Sequence, residues 1–377
     1  MKIGYLGTAH PLRGGLAAFN ERLSQELTEQ GHDVTLWSFS LQYPSFLFPG
    51  KTQYTDEPAP AGLKIRTEVN SVNPLNWLSV GRKMNEEQYD LIIVKYWLPF
   101  MGPAFGTILK GAKKNGKTKV LCIVDNIIPH EGRPGDKQFT NYFIKAVDAF
   151  ITMSDDQLKY LKQFVNKPSV FSPHPVYDIY GAKLGKADAC AKLKLDPAKK
   201  YMLCFGFIRD YKGVDRALLA MADERVRKAG IELIIAGEYY SKDVEATNNK
   251  IIADNNLQDA VHLFTDFIPE SEVCYYFSAA DVVLQPYTKA TQSGITQIAY
   301  HFEKPMIVTN VGGLPEVVPD GKVGFVAEPD PTSVADAILK FYQPNSLPNL
   351  HEDMLIEKKK YSWEIFTKAL MKVVFGK

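Results

Sequence analysis

Short apolar runs alternate with segments of helical periodicity from one end of the chain to the other. That alternation predicts parallel sheets with helices on both faces. KIGYLG (2–7) reads as a first strand. A helix over 16–30 follows, with Phe19, Leu23 and Leu27 at helical spacing and Gly31 as its stop. Further strands are expected at DVTLWSF, 63–66, LIIVKYW (91–97), VLCIVDN and AFITM. Helices are expected at 73–85, at 102–115, and from Ser154, where Ser-Asp-Asp is a strong N-terminal signal. Residues 43–62, rich in Pro, Gly and aromatic residues, read as a long loop at the sheet rim.

A second series begins at YMLCFGFI (201–208). It continues with a helix from Val214, the strand IELIIAG, a helix over 243–255, the strand AVHLFTDF and a helix opened by Pro269. The strand DVVLQPY then leads through the small-residue turn TKATQSG into a helix running to Phe302, with Ser293 as its N-cap. MIVT, a Gly312-Gly313 turn, KVGFVAE and a helix over 331–342 complete the series, and helical segments at 347–360 and 363–375 close the chain. The pattern is α/β: two doubly wound, Rossmann-like domains, residues 1–178 and 179–360, with a terminal helical segment 361–377.

Composition narrows the class. A chain of 377 residues with 45% apolar and 23% charged positions suits two globular cores. A formal net charge of +1 excludes a generally basic nucleic-acid binder. The first residues lack the basic and apolar regions of a signal peptide, and no window reaches the roughly 18 uninterrupted apolar residues of a membrane span. Cys122, Cys190, Cys204 and Cys274 are scattered without metal-like spacing, so reduced thiols and a cytoplasmic location are expected.

In open α/β sheets ligands sit beyond the carboxyl ends of the strands, and a cleft between two such domains is a frequent small-molecule site. FGFIRDYKG places Gly206, Arg209 and Lys212 directly after a buried strand. A planar guanidinium fork and a compact ammonium there can share one diphosphate; two solvated surface charges are the alternative. Thr291, Gln292, Ser293, Gly294 and Ile295 lie where the start of a helix offers unpaired backbone N–H groups to a phosphate. Gly14-Gly15, after the first strand, permits close backbone approach to a ligand, although no G-x-G-x-x-G fingerprint is present. DNIIPHEGRPGD concentrates Asp125, Asn126, His130 and Glu131 past another strand, candidates for polar recognition or proton transfer. His174 is a weaker candidate, and capping alone explains Glu316 at a helix start. Lys110, Lys113, Lys114, Lys117 and Lys119, with Trp97, Phe100 and Phe105 nearby, suit either an anionic membrane surface or a solvated helix end.

FGFIRDYKGVDRALLA, LIIAGE, FSAADVVLQPY and KPMIVTNVGGLPEVVPDGKVGFV together resemble a family 4 glycosyltransferase of the GT-B fold, over nearly the whole chain. The resemblance implies two Rossmann-like domains facing a cleft, a nucleotide-sugar donor (UDP-, GDP- or ADP-linked) held mainly by the second domain, and a glycan or lipid-linked acceptor near the first. It also implies retention at the anomeric carbon, no metal or other cofactor, and a final helix crossing back to the first domain. The usual setting is cell-surface polysaccharide or lipid-linked glycan assembly, which adds a peripheral contact with the inner face of the plasma membrane to the expectations. In the family the Arg and Lys of the RxxKG loop hold the diphosphate, here Arg209 and Lys212. The family's two glutamates, eight positions apart, are absent: Ala290 and Ile298 stand there, leaving Thr291 and Gln292 as neutral sugar contacts. Where many members have His past the strand, this chain has Asp125, then Asn126 and, further on, His130. Asp125, His130, Arg209 and Lys212 are therefore the catalytic candidates. A non-catalytic nucleotide-sugar binder and a GT-B epimerase remain the alternatives.

Overall fold

The computed structural model describes residues 1–44, 52–127, 134–290 and 293–376. The expectations for His130, Glu131, Thr291 and Gln292 fall outside the described residues. The chain divides into two compact units, Met1–His174 with Trp363–Lys377, and Pro175–Ser362.

The first unit is a seven-stranded parallel sheet. Its strands are β1 (Lys2–Leu6), β2 (Asp33–Leu41), β3 (Lys64–Asn70), β4 (Leu91–Tyr96), β5 (Lys119–Val124), β6 (Ala149–Thr152) and β7 (Ser169–Phe171), in the order β3-β2-β1-β4-β5-β6-β7. Every residue of β4 is buried, as an apolar run covered on both faces requires. Helix α1 (Gly15–Glu29) turns Phe19, Leu23 and Leu27 inward. Helix α2 (Pro74–Glu86) starts with Pro74, capped by the Asn73 side chain, which accepts from the N–H groups of Leu75 and Asn76. It meets α3 (Gly102–Ala112) through two glycines: a Cβ on Gly81 would stand 2.8 Å from the Ile108 carbonyl oxygen. Helices α4 (Asp136–Ile144) and α5 (Asp155–Leu161) complete the crossovers, with Ser154 capping α5 as its sequence predicts.

The second unit repeats the plan with six parallel strands. After α6 (Lys186–Leu193) come β8 (Lys200–Phe205), α7 (Val214–Met221), α8 (Glu224–Lys228), β9 (Ile231–Ala236), α9 (Lys242–Asp254), β10 (Val261–Phe264), α10 (Val273–Ala279), β11 (Val282–Gln285), α11 (Gly294–His301), β12 (Met306–Thr309), α12 (Leu314–Val317), β13 (Gly324–Ala327), α13 (Pro331–Phe341) and α14 (Leu350–Lys359). The order β10-β9-β8-β11-β12-β13 matches the first six strands of the other sheet. In both sheets the strand order reverses beside the first strand: between β1 and β4, and between β8 and β11. The loops that leave β8 and β11 flank the second of these switch points, where a doubly wound sheet leaves room for a ligand.

The terminal helix, α15 (Trp363–Phe375), belongs to the first unit. The ring centroids of Trp363 and Phe366 lie 5.4 and 5.8 Å from that of Phe19, and the Gln30 side chain donates to Thr367 Oγ1 at 2.9 Å. All four cysteines are buried and unpaired. Among the described residues no helix is long and apolar enough to cross a membrane.

The lysine-rich segment needs one revision. Phe105 lies in the first unit's core, fully buried, and cannot face a membrane. Trp97 and Phe100 pack against the same core, and the Trp97 indole donates to the Tyr43 hydroxyl at 2.6 Å. Lys113 is paired with Asp148 at 2.7 Å. A membrane surface was one of two readings of this segment, and a linear sequence does not show that the Phe105 face of α3 turns inward.

Candidate diphosphate site

The site begins where β8 ends. Gly206 follows Phe205 with φ +91°, and Gly237, after β9, has φ +135°; a Cβ on Gly237 would stand 2.5 Å from the Gly206 carbonyl oxygen. Only glycine adopts that backbone at that approach without strain. The two loops are then joined by main-chain bonds: the Ile208 N–H donates to the Glu238 carbonyl (2.8 Å) and the Tyr240 N–H to the Ile208 carbonyl (2.9 Å). A single 3-10 turn, Asp210–Lys212, follows and is closed by Gly213 in the left-handed region, φ +63°. A Cβ on Gly213 would overlap the Pro286 carbonyl oxygen, so the loop after β8 is pressed onto the loop after β11. The Thr288 N–H donates to the Tyr211 carbonyl at 2.8 Å across the same junction.

The sequence-predicted residues of this unit converge here. A Cβ on Gly206 would meet Lys212 Nζ at 3.1 Å and Ile295 Cδ1 at 3.3 Å, so the ammonium and the first turn of α11 both lie against Gly206. Ser293 caps α11 as expected, its Oγ accepting the Ile295 N–H at 3.2 Å, and no acidic residue occupies that turn. The helix start is therefore electropositive through its remaining N–H groups and its dipole. Tyr287, buried, holds the assembly: its hydroxyl shares a 3.2 Å hydrogen bond with Ser293 Oγ, and its ring lies 5.5 Å from Lys212 Nζ.

Lys212 is half-buried and carries the site's clearest electrostatic signature. Burial, and then the like charge of Arg209, push its ammonium down to about 8. The ammonium donates to the Phe205 carbonyl at 3.4 Å, and among the described residues it has no carboxylate partner. Two neighbouring cations with no carboxylate partner among the described residues mark a place where an anion supplies the missing charge. The apparent affinity for a diphosphate is accordingly expected to weaken as pH rises through about 8, by up to about tenfold per pH unit beyond it. Titration calorimetry from pH 6.5 to 9.5 checks this, and Lys212→Arg is expected to flatten the dependence because guanidinium stays charged.

Other predicted residues fall in the first unit. Gly14, φ +101°, precedes α1, and a Cβ there would touch nothing within 4 Å. With Gly15 it opens a helix that has neither a side-chain cap nor an acidic first turn. Asp125 follows β5, and its N–H donates to the Tyr96 carbonyl at 2.9 Å. Its partner was not anticipated. Lys95 of β4, 2% exposed, brings its Nζ to 3.2 Å from Asp125 Oδ1 and 3.5 Å from the centroid of the Phe19 ring. Among the described residues Oδ1 accepts no hydrogen bond, and its contact with Lys95 is ionic. Burial raises the Asp125 carboxyl and lowers the Lys95 ammonium, while each charge opposes the shift of the other. A lone lysine inside LIIVKYW was the available signal. Among the described residues, Asn126 Oδ1 and both amide atoms of Gln285, at the end of β11, are buried without hydrogen-bond partners. His174 is buried against the edge of Phe19, 5.1 Å between centroids, a packing role. Glu316 is exposed in the first turn of α12.

Two family models match the chain in tandem: Glycosyltransferase Family 4 over residues 13–177 and Glycosyl transferases group 1 over 199–344. A D-inositol 3-phosphate glycosyltransferase from Streptomyces scabiei is 25% identical over 279 residues, covering 69% of this chain and 61% of that protein. Human alpha-1,3/1,6-mannosyltransferase ALG2 is 28% identical over 155 residues, 38% of this chain and 36% of that one. The chain spans 61%, 32% and 58% of the lengths of the first three curated relatives. Among solved structures, sucrose-phosphate synthase from Thermosynechococcus elongatus superposes with a TM-score of 0.73 at 17% identity, covering 98% of this chain and 96% of that one. Anabaena Alr3699/HepE in complex with UDP and glucose gives 0.73 at 15% identity, covering 99% and 98%. At these identities the structural matches establish the GT-B fold alone.

Proposed function

The chain belongs to the family 4, group 1 glycosyltransferases of the GT-B fold, and on that premise we propose that it moves a sugar from a nucleoside diphosphate to a glycan or lipid-linked acceptor. One observation carries the reading: Lys212 and the capped start of α11 both lie against Gly206 at the β8/β11 switch point, with Arg209 on the same loop and, among the described residues, no carboxylate paired with the ammonium. Breaking the sugar–phosphate bond leaves negative charge on the departing diphosphate. Fixed cations and amide dipoles stabilise that charge more in the transition state than in the ground state. Arg209 and Lys212 supply at the leaving group what a divalent cation supplies elsewhere, so transfer is assigned as metal-independent. Asp125 is assigned as a catalytic residue and the Gly14-Gly15 turn as a donor contact, with retention at the anomeric carbon. The setting is cell-surface glycan assembly at the cytoplasmic face of the membrane, with a peripheral contact through the lysine-rich end of α3.

A thermal-shift screen of UDP, GDP, ADP and their sugars tests the donor reading, since a ligand of the folded state raises its apparent stability. One nucleoside diphosphate and its sugar are expected to raise Tm, and that donor is expected to support transfer in EDTA with a product of unchanged anomeric configuration by NMR. No shift with any of them contradicts the proposal. A second reading, a non-catalytic nucleotide-sugar binder, is favoured by Ile298, an apolar, buried side chain where the family places a carboxylate. Donor binding without product across an acceptor panel would select it.

A further inference from the structure

Arg209 is the site's second cation, and its orientation has a visible cause. Its guanidinium carbon lies 4.2 Å from the centroid of the Tyr240 ring. Tyr240 sits on the loop after β9, which the two main-chain bonds at Ile208 and the close approach of Gly237 to Gly206 fasten to the loop carrying Arg209. The backbones of ring and guanidinium are thus held at a set separation. Tyr240 is 42% exposed, so its ring is no part of a core.

We propose that Tyr240 is a positioning residue for Arg209, holding the plane of the guanidinium so that its N–H edge stays directed at the donor's diphosphate. The proposal rests on the diphosphate reading above. A free arginine side chain loses rotamer entropy when it is immobilised on a ligand. A carboxylate partner would remove that cost but would occupy the N–H fork and cancel its charge. An aromatic face holds the guanidinium by its plane, leaving the charge intact and the whole edge available to phosphate oxygens. Lys212 also has a ring beside it, Tyr287 at 5.5 Å, but a single ammonium has no plane to orient.

The stacking requires the ring and not its hydroxyl, which sets the test. Tyr240→Ala, Tyr240→Phe, Arg209→Ala and the Tyr240→Ala/Arg209→Ala double variant are compared in the full chain for nucleoside diphosphate and monophosphate affinity and for transfer, with Tm as the check on folding. Tyr240→Ala is expected to weaken diphosphate binding about 3- to 30-fold, the range of an exposed to desolvated cation–π contact, with monophosphate binding changed far less. Tyr240→Phe is expected to stay within about twofold of wild type. In the Arg209→Ala background, Tyr240→Ala is expected to add nothing, because the ring acts only through the arginine. Equal losses from Tyr240→Ala with and without Arg209, or none in either, overturn the assignment while leaving the diphosphate site in place. Wild-type diphosphate binding by Arg209→Ala itself would overturn the diphosphate role of that arginine, and the positioning role with it.

Discussion

Lys212→Met is expected to lower sugar transfer by about 100-fold or more, the usual scale for removing one fixed donor from developing negative charge, and at the same time to raise the melting temperature. The first effect follows from geometry. The ammonium lies against Gly206, which the first turn of α11 also approaches, and the turn that carries it is closed by Gly213. The second follows from its titration. The folded chain holds the proton with a pKa of about 8, against 10.5 for the unperturbed group, so the folded state pays for a charge that burial disfavours. Below pH 8 both states are protonated and the destabilisation is present in full. Between about 8 and 10.5 the unfolded chain keeps the proton and the folded chain does not, so wild-type stability is relieved as pH rises through that window. Methionine carries no charge and should show no such rise. Arg209→Ala is expected to share the activity loss without the stability gain, since its guanidinium stacks on an exposed ring. The two losses are expected to be less than additive, because both cations act on one anion.

Lys95→Met is expected to destabilise the chain by about 3–5 kcal/mol. Removing the ammonium leaves the Asp125 carboxylate, 17% exposed, without its counter-charge 3.2 Å away, and the Phe19 face without its cation. The carboxyl can then escape only by taking up a proton. The deficit of Lys95→Met relative to wild type should therefore shrink as the pH falls towards the carboxyl's raised pKa and be largest at neutral pH. Replacing both partners, Lys95→Met with Asp125→Leu, is expected to recover most of the stability, since an apolar pair needs no desolvated charge. Urea denaturation at pH 5 and pH 7 measures all three variants. A cost below about 1 kcal/mol for Lys95→Met at neutral pH would show that the pair is solvated in practice.

Much of this architecture was readable from the chain. Buried parallel strands are continuous apolar runs, and LIIVKYW, IELIIAG and MIVT announce themselves as such. The caps at Asn73, Ser154 and Ser293 are local chemistry and stood where the pattern put them. Strand lengths were less legible: AVHLFTDF yields only the four-residue β10, because ladder pairing with β9 ends at Phe264. The order of the strands is a property of pairing and has no local signature. At the site, Arg209 and Lys212 were visible because a cation after a buried strand is conspicuous. The groups that place them were not. Tyr287 buries its ring beneath Lys212, Tyr240 stacks on Arg209 from a separate loop, and Lys95 meets Asp125 across two strands. Each is a tertiary relation between segments distant in sequence, and no periodicity encodes it.

The central claim is that this chain grips a diphosphate between the RDYKG loop and the start of α11. Its most direct test is the ratio of affinities for a nucleoside diphosphate and the corresponding monophosphate, measured by titration calorimetry at pH 7 with the best-binding base. Wild type is expected to prefer the diphosphate by at least about tenfold, and the Arg209→Ala/Lys212→Met double variant is expected to lose that preference while still binding the monophosphate. A double variant that keeps the wild-type ratio would contradict the account.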